Sequence, residues 1–212
     1  MLIQILLFAL LGATCHKNTV PPQDPPAAIP TASEYFPNSV GDYWEYYVYD
    51  SSAFNGIPEY TVKVSITNTQ KLVDGKDATV WQYQYPWGND TNYVRTVGDT
   101  IKVYDKFRTE TIRGLEFPLK IFLIPFQDGQ RWNGKLLYVD TSYVSSKPII
   151  KTKFYVFDSC FKIYHHYLGP NLEFKDEYWF RANIGMIQIH YNDYSLGPIK
   201  AQLWQLKKYY LH

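Results

Sequence analysis

His165 and His166 are the residues whose types most directly suggest metal chemistry, with His190 further along the chain. A metal site needs several ligands converging on one point, and on a strand adjacent side chains face opposite sides. The pair cannot chelate one ion, so the expectation is no metal. Cys160 has no second cysteine at a metal-binding or redox spacing and reads as a quiet structural thiol. Asp176 or Glu177 with Asp158 could form the paired carboxylates of glycoside hydrolysis, which leave no linear signature, but solvated sheet edges explain these acids more simply. There is no Gly-x-Ser-x-Gly elbow, no His-Glu-x-x-His and no glycine-rich phosphate loop. The expectation is a non-enzymatic chain with no catalytic residue and no cofactor. Aromatic residues offer the better lead. Tyr83 and Tyr85 share a face beside Trp87, which sits in a Pro/Gly turn followed by Asn89 and Asp90. Rings placed so can stack on a sugar or cover a lipid tail, and these three are the candidate ligand contacts; the plainer alternative is that Trp87 caps the core.

The elements that must position these rings are strands. Aromatic residues make up 18% of the chain, with 20 Tyr and 6 Trp against 2 Met, and broad rings pack well across a pleated sheet. Residues 60–67 alternate apolar and polar without a fault, giving one core face and one wet face. Asp74-Gly75 and Gly98-Asp99 suit tight hairpins, one leading into 78–85 and the other joining 93–97 to 101–104. Further strands are expected at 42–50, 115–124, 136–145, 150–157, 161–168, 174–181, 186–191 and 199–210. Leu115, Phe117, Leu119, Ile121 and Leu123 make an apolar stripe that reads as sheet interior. No segment shows a convincing helical stripe. The fold class expected is all-β or β-dominated: a curved antiparallel sheet or an open or half barrel with few or no helices.

The totals and the amino-terminal residues bound the setting. Lys plus Arg number 21 against 20 acidic residues, so no overall field attracts nucleic acid, and none is expected as a partner. Residues 1–11 are apolar apart from Gln4 and lead through Gly12, Ala13 and Thr14 to Cys15, the layout of a signal peptide. The stretch from Leu11 to Cys15 resembles the lipobox of bacterial lipoproteins, which implies cleavage before Cys15 and lipid attachment there. An ordinary secretory signal with a chance cysteine is the other reading, and it too exports the chain. Residues 20–37 hold six prolines without hydrophobic periodicity, the composition of an extended spacer. At about 3.1 Å per residue the stretch from Cys15 to Glu34 could hold a domain up to roughly 60 Å from the lipid. The expected organisation is a signal peptide at 1–14, a lipidated Cys15 with a Pro-rich tether over 15–37, and one β-rich domain over 38–212.

Two stretches share the spacing Pro-x3-Gly-x2-Trp: Pro37, Gly41, Trp44 and Pro125, Gly129, Trp132. Each lands a Trp just inside a strand, where its job is expected to be structural. These motifs, the run from Tyr35 to Tyr46, and Ile184-Gly185-Met186-Ile187 resemble landmarks of small uncharacterised envelope lipoproteins of Bacteroidota-type bacteria. That group is similar to the curved, antiparallel half-barrels of the lipoprotein-carrier type. The resemblance implies an envelope location without implying an activity. Together these readings lead to the expectation of a membrane-anchored envelope lipoprotein that binds an apolar ligand or a protein partner; the alternative is a glycan-binding surface lipoprotein. His16-Lys17-Asn18 after the cysteine lacks an acidic cluster resembling surface-export signals, which favours the outer membrane facing the periplasm over the cell surface.

Overall fold

The structure, a computed structural model, describes residues 30–51, 58–134, 139–170, 172–194 and 200–212. The expected signal peptide at 1–14, Cys15 and most of the expected tether lie outside the described residues. Among the described residues twelve strands form one sheet. The first six are β1 (Tyr43–Asp50), β2 (Glu59–Lys71), β3 (Asp77–Tyr85), β4 (Gly88–Val97), β5 (Thr100–Asp105) and β6 (Lys120–Leu123). The second six are β7 (Arg131–Asn133), β8 (Val139–Lys151), β9 (Val156–Gly169), β10 (Leu172–Arg181), β11 (Gly185–Asp193) and β12 (Lys200–Tyr210). Three single-turn helices accompany them among the described residues: α1 (Ala32–Tyr35), α2 (Lys106–Thr109) and α3 (Ile112–Leu115). The fold class is β-dominated, as expected.

The spatial order β6-β5-β4-β3-β2-β1-β12-β11-β10-β9-β8-β7 is two meanders joined where β1 pairs with β12. The sheet therefore closes near the ends of the packed chain and stays unladdered in its middle, between β6 and β7. A side chain bridges that seam: the Trp132 indole N–H donates to the Ile121 carbonyl at 3.0 Å. The result is a nearly closed antiparallel barrel. Its curvature has local causes in register shifts at Glu45/Tyr46, Ile66/Asn68 and Trp179/Phe180, since a bulge bends its strand and increases the twist.

Alternation decides which side chains fill the barrel. On β1 the buried residues are Trp44, Tyr46, Val48 and Asp50; on β2 they are Tyr60, Val62, Val64 and Ile66. Tyr35 and Phe36 plug one end. The Tyr35 ring lies 5.0 Å from Phe126, and Phe36 stacks on Trp81 at 5.0 Å, which in turn stacks on Trp44 at 5.2 Å. Such ring contacts add to the area each ring buries and make this end a solid aromatic floor. Both tryptophans of the repeated motif are buried, and each indole donates to a carbonyl, Trp44 to Ile184 at 2.7 Å and Trp132 to Ile121.

Several boundaries differ from the sequence expectation. Packing begins before residue 38, because Tyr35 and Phe36, read as tether, are 4% and 3% exposed. The stretch 150–157 is not one strand: β8 ends at Lys151, β9 starts at Val156, and Thr152 Oγ1 accepts from the Tyr155 and Phe154 amides to make the turn. Apolar content alone does not reveal a turn built by a threonine hydroxyl. Of the stretch 115–124, only Lys120–Leu123 is strand, and Leu115 closes α3, whose Thr111 hydroxyl caps the Gly114 amide. The inward face of β6 is also the opposite of the expected one. Phe122 and Ile124 are buried, whereas Ile121 and Leu123 are half-buried against the core margin. Both faces of β6 carry apolar residues, so alternation could not choose between them.

Candidate functional site

Above the aromatic floor the barrel is not filled. A cavity of about 320 Å³ lies inside the sheet, at the small end of the range for ligand sites. Its base is formed by Phe36, Trp81 and Phe122. One wall comes from β3 to β5, with Tyr83, Tyr85, Asp90, Asn92, Val103 and Asp105; the facing wall comes from β10 to β12, with Tyr178, Met186, Tyr191, Gln202 and Trp204. These residues are cross-strand neighbours. Tyr83 pairs with Asp90, Tyr191 with Gln202, and both members of each pair face inward.

The structure brings two of the three candidate contacts into this chamber, since Tyr83 and Tyr85 line it. Trp87 stands at its edge, 41% exposed, with its ring stacked on Tyr85 at 5.5 Å and edge-on to Tyr60 at 4.8 Å. From Trp87 a run of rings leads inward. Tyr85 meets Trp204 at 6.1 Å, Trp204 meets Tyr191 at 5.8 Å, and Tyr191 meets Tyr178 at 6.0 Å. β3 and the three consecutive strands β10 to β12, far from it in sequence, supply this run.

Polar groups interrupt the rings. The Lys120 ammonium lies 3.4 Å from Asp176 Oδ2, contacts the Tyr178 hydroxyl, and sits 4.3 Å above the Tyr178 ring and 4.7 Å from the Tyr191 ring centre. Burial pushes its pKa down, and the Asp176 charge pulls it back up. Tyr178 donates to Asp176 at 2.9 Å, so amine, carboxylate and phenol form one knot. Gln202 is held from both sides: its amide donates to Asp50 at 2.8 Å, and its carbonyl accepts from the Trp204 indole at 3.1 Å. That fixes the Trp204 ring. Burial raises the Tyr83 phenol to about 12 and also raises Tyr46, Tyr85 and Tyr191. These hydroxyls stay protonated at neutral pH, and each can both donate and accept.

The other chemical candidates are dispersed. His165 faces Asp140 at 2.7 Å and His166 faces Glu173 at 3.0 Å, on opposite sides of β9 as adjacent strand residues must be. His190 lies 3.9 Å from Glu177. Asp176 is buried against Lys120 and Tyr178, its neighbour Glu177 pairs on the other face with Lys162 and His190, and Asp158 pairs with Arg181. No group of three or more His, Cys, Asp or Glu among the described residues is arranged to hold a metal ion. Burial lifts the Cys160 thiol to about 11, which keeps it in its unreactive form.

Sequence reasoning missed Lys120, Tyr178, Tyr191, Gln202 and Trp204. A signal existed for four of them. Tyr191 shares its face with Ile187 and Ile189, Gln202 and Trp204 share theirs with Leu206, and Tyr178 shares its face with Phe180. Lys120 gave none, because it sits on the face of β6 that the apolar stripe had assigned to solvent.

No family model matches the chain, and no curated protein matches it. Among solved structures the chain is similar to a protein named as exported, with a YmcC-like fold, from Bacteroides fragilis: 12% identity over 83% of this chain and 98% of that one, with a TM-score of 0.45. It is also similar to one named as a lipoprotein, from Parabacteroides distasonis, at 13% identity over 83% and 98% of the two chains, with a TM-score of 0.41.

Proposed function

We propose that this chain is a non-enzymatic envelope lipoprotein, anchored through Cys15 to the outer membrane on its periplasmic side, whose barrel holds a small ligand. The observation that carries the binding role is the chamber itself. A barrel this rich in large rings could have filled its interior, as it does at the Tyr35 and Phe36 end, yet about 320 Å³ is left open beside a polar knot. Empty space lined by rings and hydrogen-bonding groups costs stability and is the common form of a small-molecule site. A binding role, rather than chemistry, is supported by how the cationic and most of the acidic groups at the wall are engaged with one another. Lys120, Asp176 and Tyr178 hold one another, and Asp105 is paired with Arg108. A reactive site would instead point a nucleophile at a base with room for a substrate between them.

The anchor rests on the residues from Leu11 to Cys15, and the Pro-rich stretch after it supplies reach. Fractionation of cells carrying the native chain and Cys15→Ser tests it. The native chain is expected in the membrane fraction with acyl mass on Cys15, and the variant in the soluble envelope fraction. A variant that stays membrane-bound, or a native chain that keeps its first fourteen residues, overturns the anchor.

A further inference from the structure

Resting on the chamber reading above, we propose that the ligand is a neutral sugar, a pyranose unit that enters past Trp87 and lies against Tyr85, which Trp204 backs from inside the barrel. A pyranose ring offers C–H groups on its faces and hydroxyls around its edge, so its site needs rings to cover the faces and hydrogen-bonding groups in the plane. The chamber has both. The stack of Trp87 on Tyr85, with planes 19° apart, turns a flat aromatic surface from the rim toward the interior, and Trp204 stands nearly perpendicular to Tyr85 at 85°. The edge-on contact with Trp204 holds the Tyr85 ring in place. Around it, Asp90 Oδ1 accepts from the Thr91 amide at 2.7 Å, while Oδ2 and the hydroxyls of Tyr85 and Tyr191 carry no hydrogen bond to protein among the described residues.

Charge and size favour this class over the others. An apolar chain filling this space would bury those open groups against carbon, stripping them of water without replacing the lost hydrogen bonds. An organic cation would seek the Tyr178 and Tyr191 rings, but the Lys120 ammonium already occupies them at 4.3 and 4.7 Å. An anion would find that cation matched by Asp176 and would face the Asp90 carboxylate besides. A neutral polyol disturbs none of these pairs, and about 320 Å³ suits one ring or two.

The test uses the full chain, titrated with glucose, galactose, N-acetylglucosamine and their disaccharides, then with palmitate and choline, while tryptophan emission and heat are recorded. Trp81 and Trp204 line the chamber and report occupancy. At least one neutral sugar is expected to saturate the signal, and Tyr85→Ala and Asp90→Ala are each expected to weaken it about tenfold without loss of the folded circular-dichroism spectrum. Saturation by palmitate or choline with none by sugars overturns the sugar assignment and leaves the chamber reading standing. Sugar binding that both variants leave untouched overturns its placement in the chamber. Silence from every probe overturns both readings.

Discussion

Lys120 is a cation held inside the barrel beside a carboxylate. Its side chain is 18% exposed and that of Asp176 is 11% exposed, so the two charges share a site with little water. Removing one partner from such a pair leaves the other uncompensated, which costs far more than removing both. Lys120→Met is expected to lower stability by about 3 kcal/mol, and the double variant Lys120→Met with Asp176→Asn to restore most of that loss. Urea unfolding of the three proteins measures it, and a single variant as stable as the parent would show that the knot is not buried in solution. The residue scale is also where sequence reading reached least. Tyr83, Tyr85 and Trp87 are legible because they lie together in one strand and its turn. The groups opposite them come from β6 and β10 to β12, and convergence across a barrel leaves no trace in linear spacing.

Among the elements, β6 and β7 face each other across a seam with no backbone ladder. Both edge strands are short, with four and three residues, as edges that avoid pairing with other chains tend to be. The Trp132 indole ties them together where backbone pairing stops. Trp132→Phe keeps the ring and removes the donor, and is expected to cost about 1 kcal/mol. The expected signature in amide exchange is faster opening at 120–123 and 131–133 than in β1, β2 or β12. Uniform exchange across the barrel would show that the seam is held by something else. Most strands were legible, and the reasons differ. Faultless alternation gave 60–67, and Asp74-Gly75 and Gly98-Asp99 placed their hairpins at turns where Gly75 and Gly98 have φ of 76° and 56°, conformations that favour glycine. The hairpin at Thr152 and the helical turns α1, α2 and α3 were not legible. They depend on single hydroxyl or carboxyl caps, such as Asp105 to the Arg108 amide at 2.9 Å, rather than on any period.

At the scale of the whole molecule, the two meanders meet where β1 pairs with β12, so the barrel assembles from its flanks and keeps its seam in mid-chain. One end is packed solid by α1 and the residue after it, and the other holds the chamber. That asymmetry could not be read from composition, because the same Tyr and Trp residues serve as filler at one end and as lining at the other. The proposed ligand would occupy the open end. Native mass spectrometry of the chain released from membranes in mild detergent tests it, compared with Val103→Phe, which adds a ring to the chamber wall and which circular dichroism must show to be folded. The native chain is expected to carry a small non-covalent mass that Val103→Phe lacks. Equal occupancy in the two proteins, or a native chain that takes up no such mass, would contradict a ligand site inside the barrel.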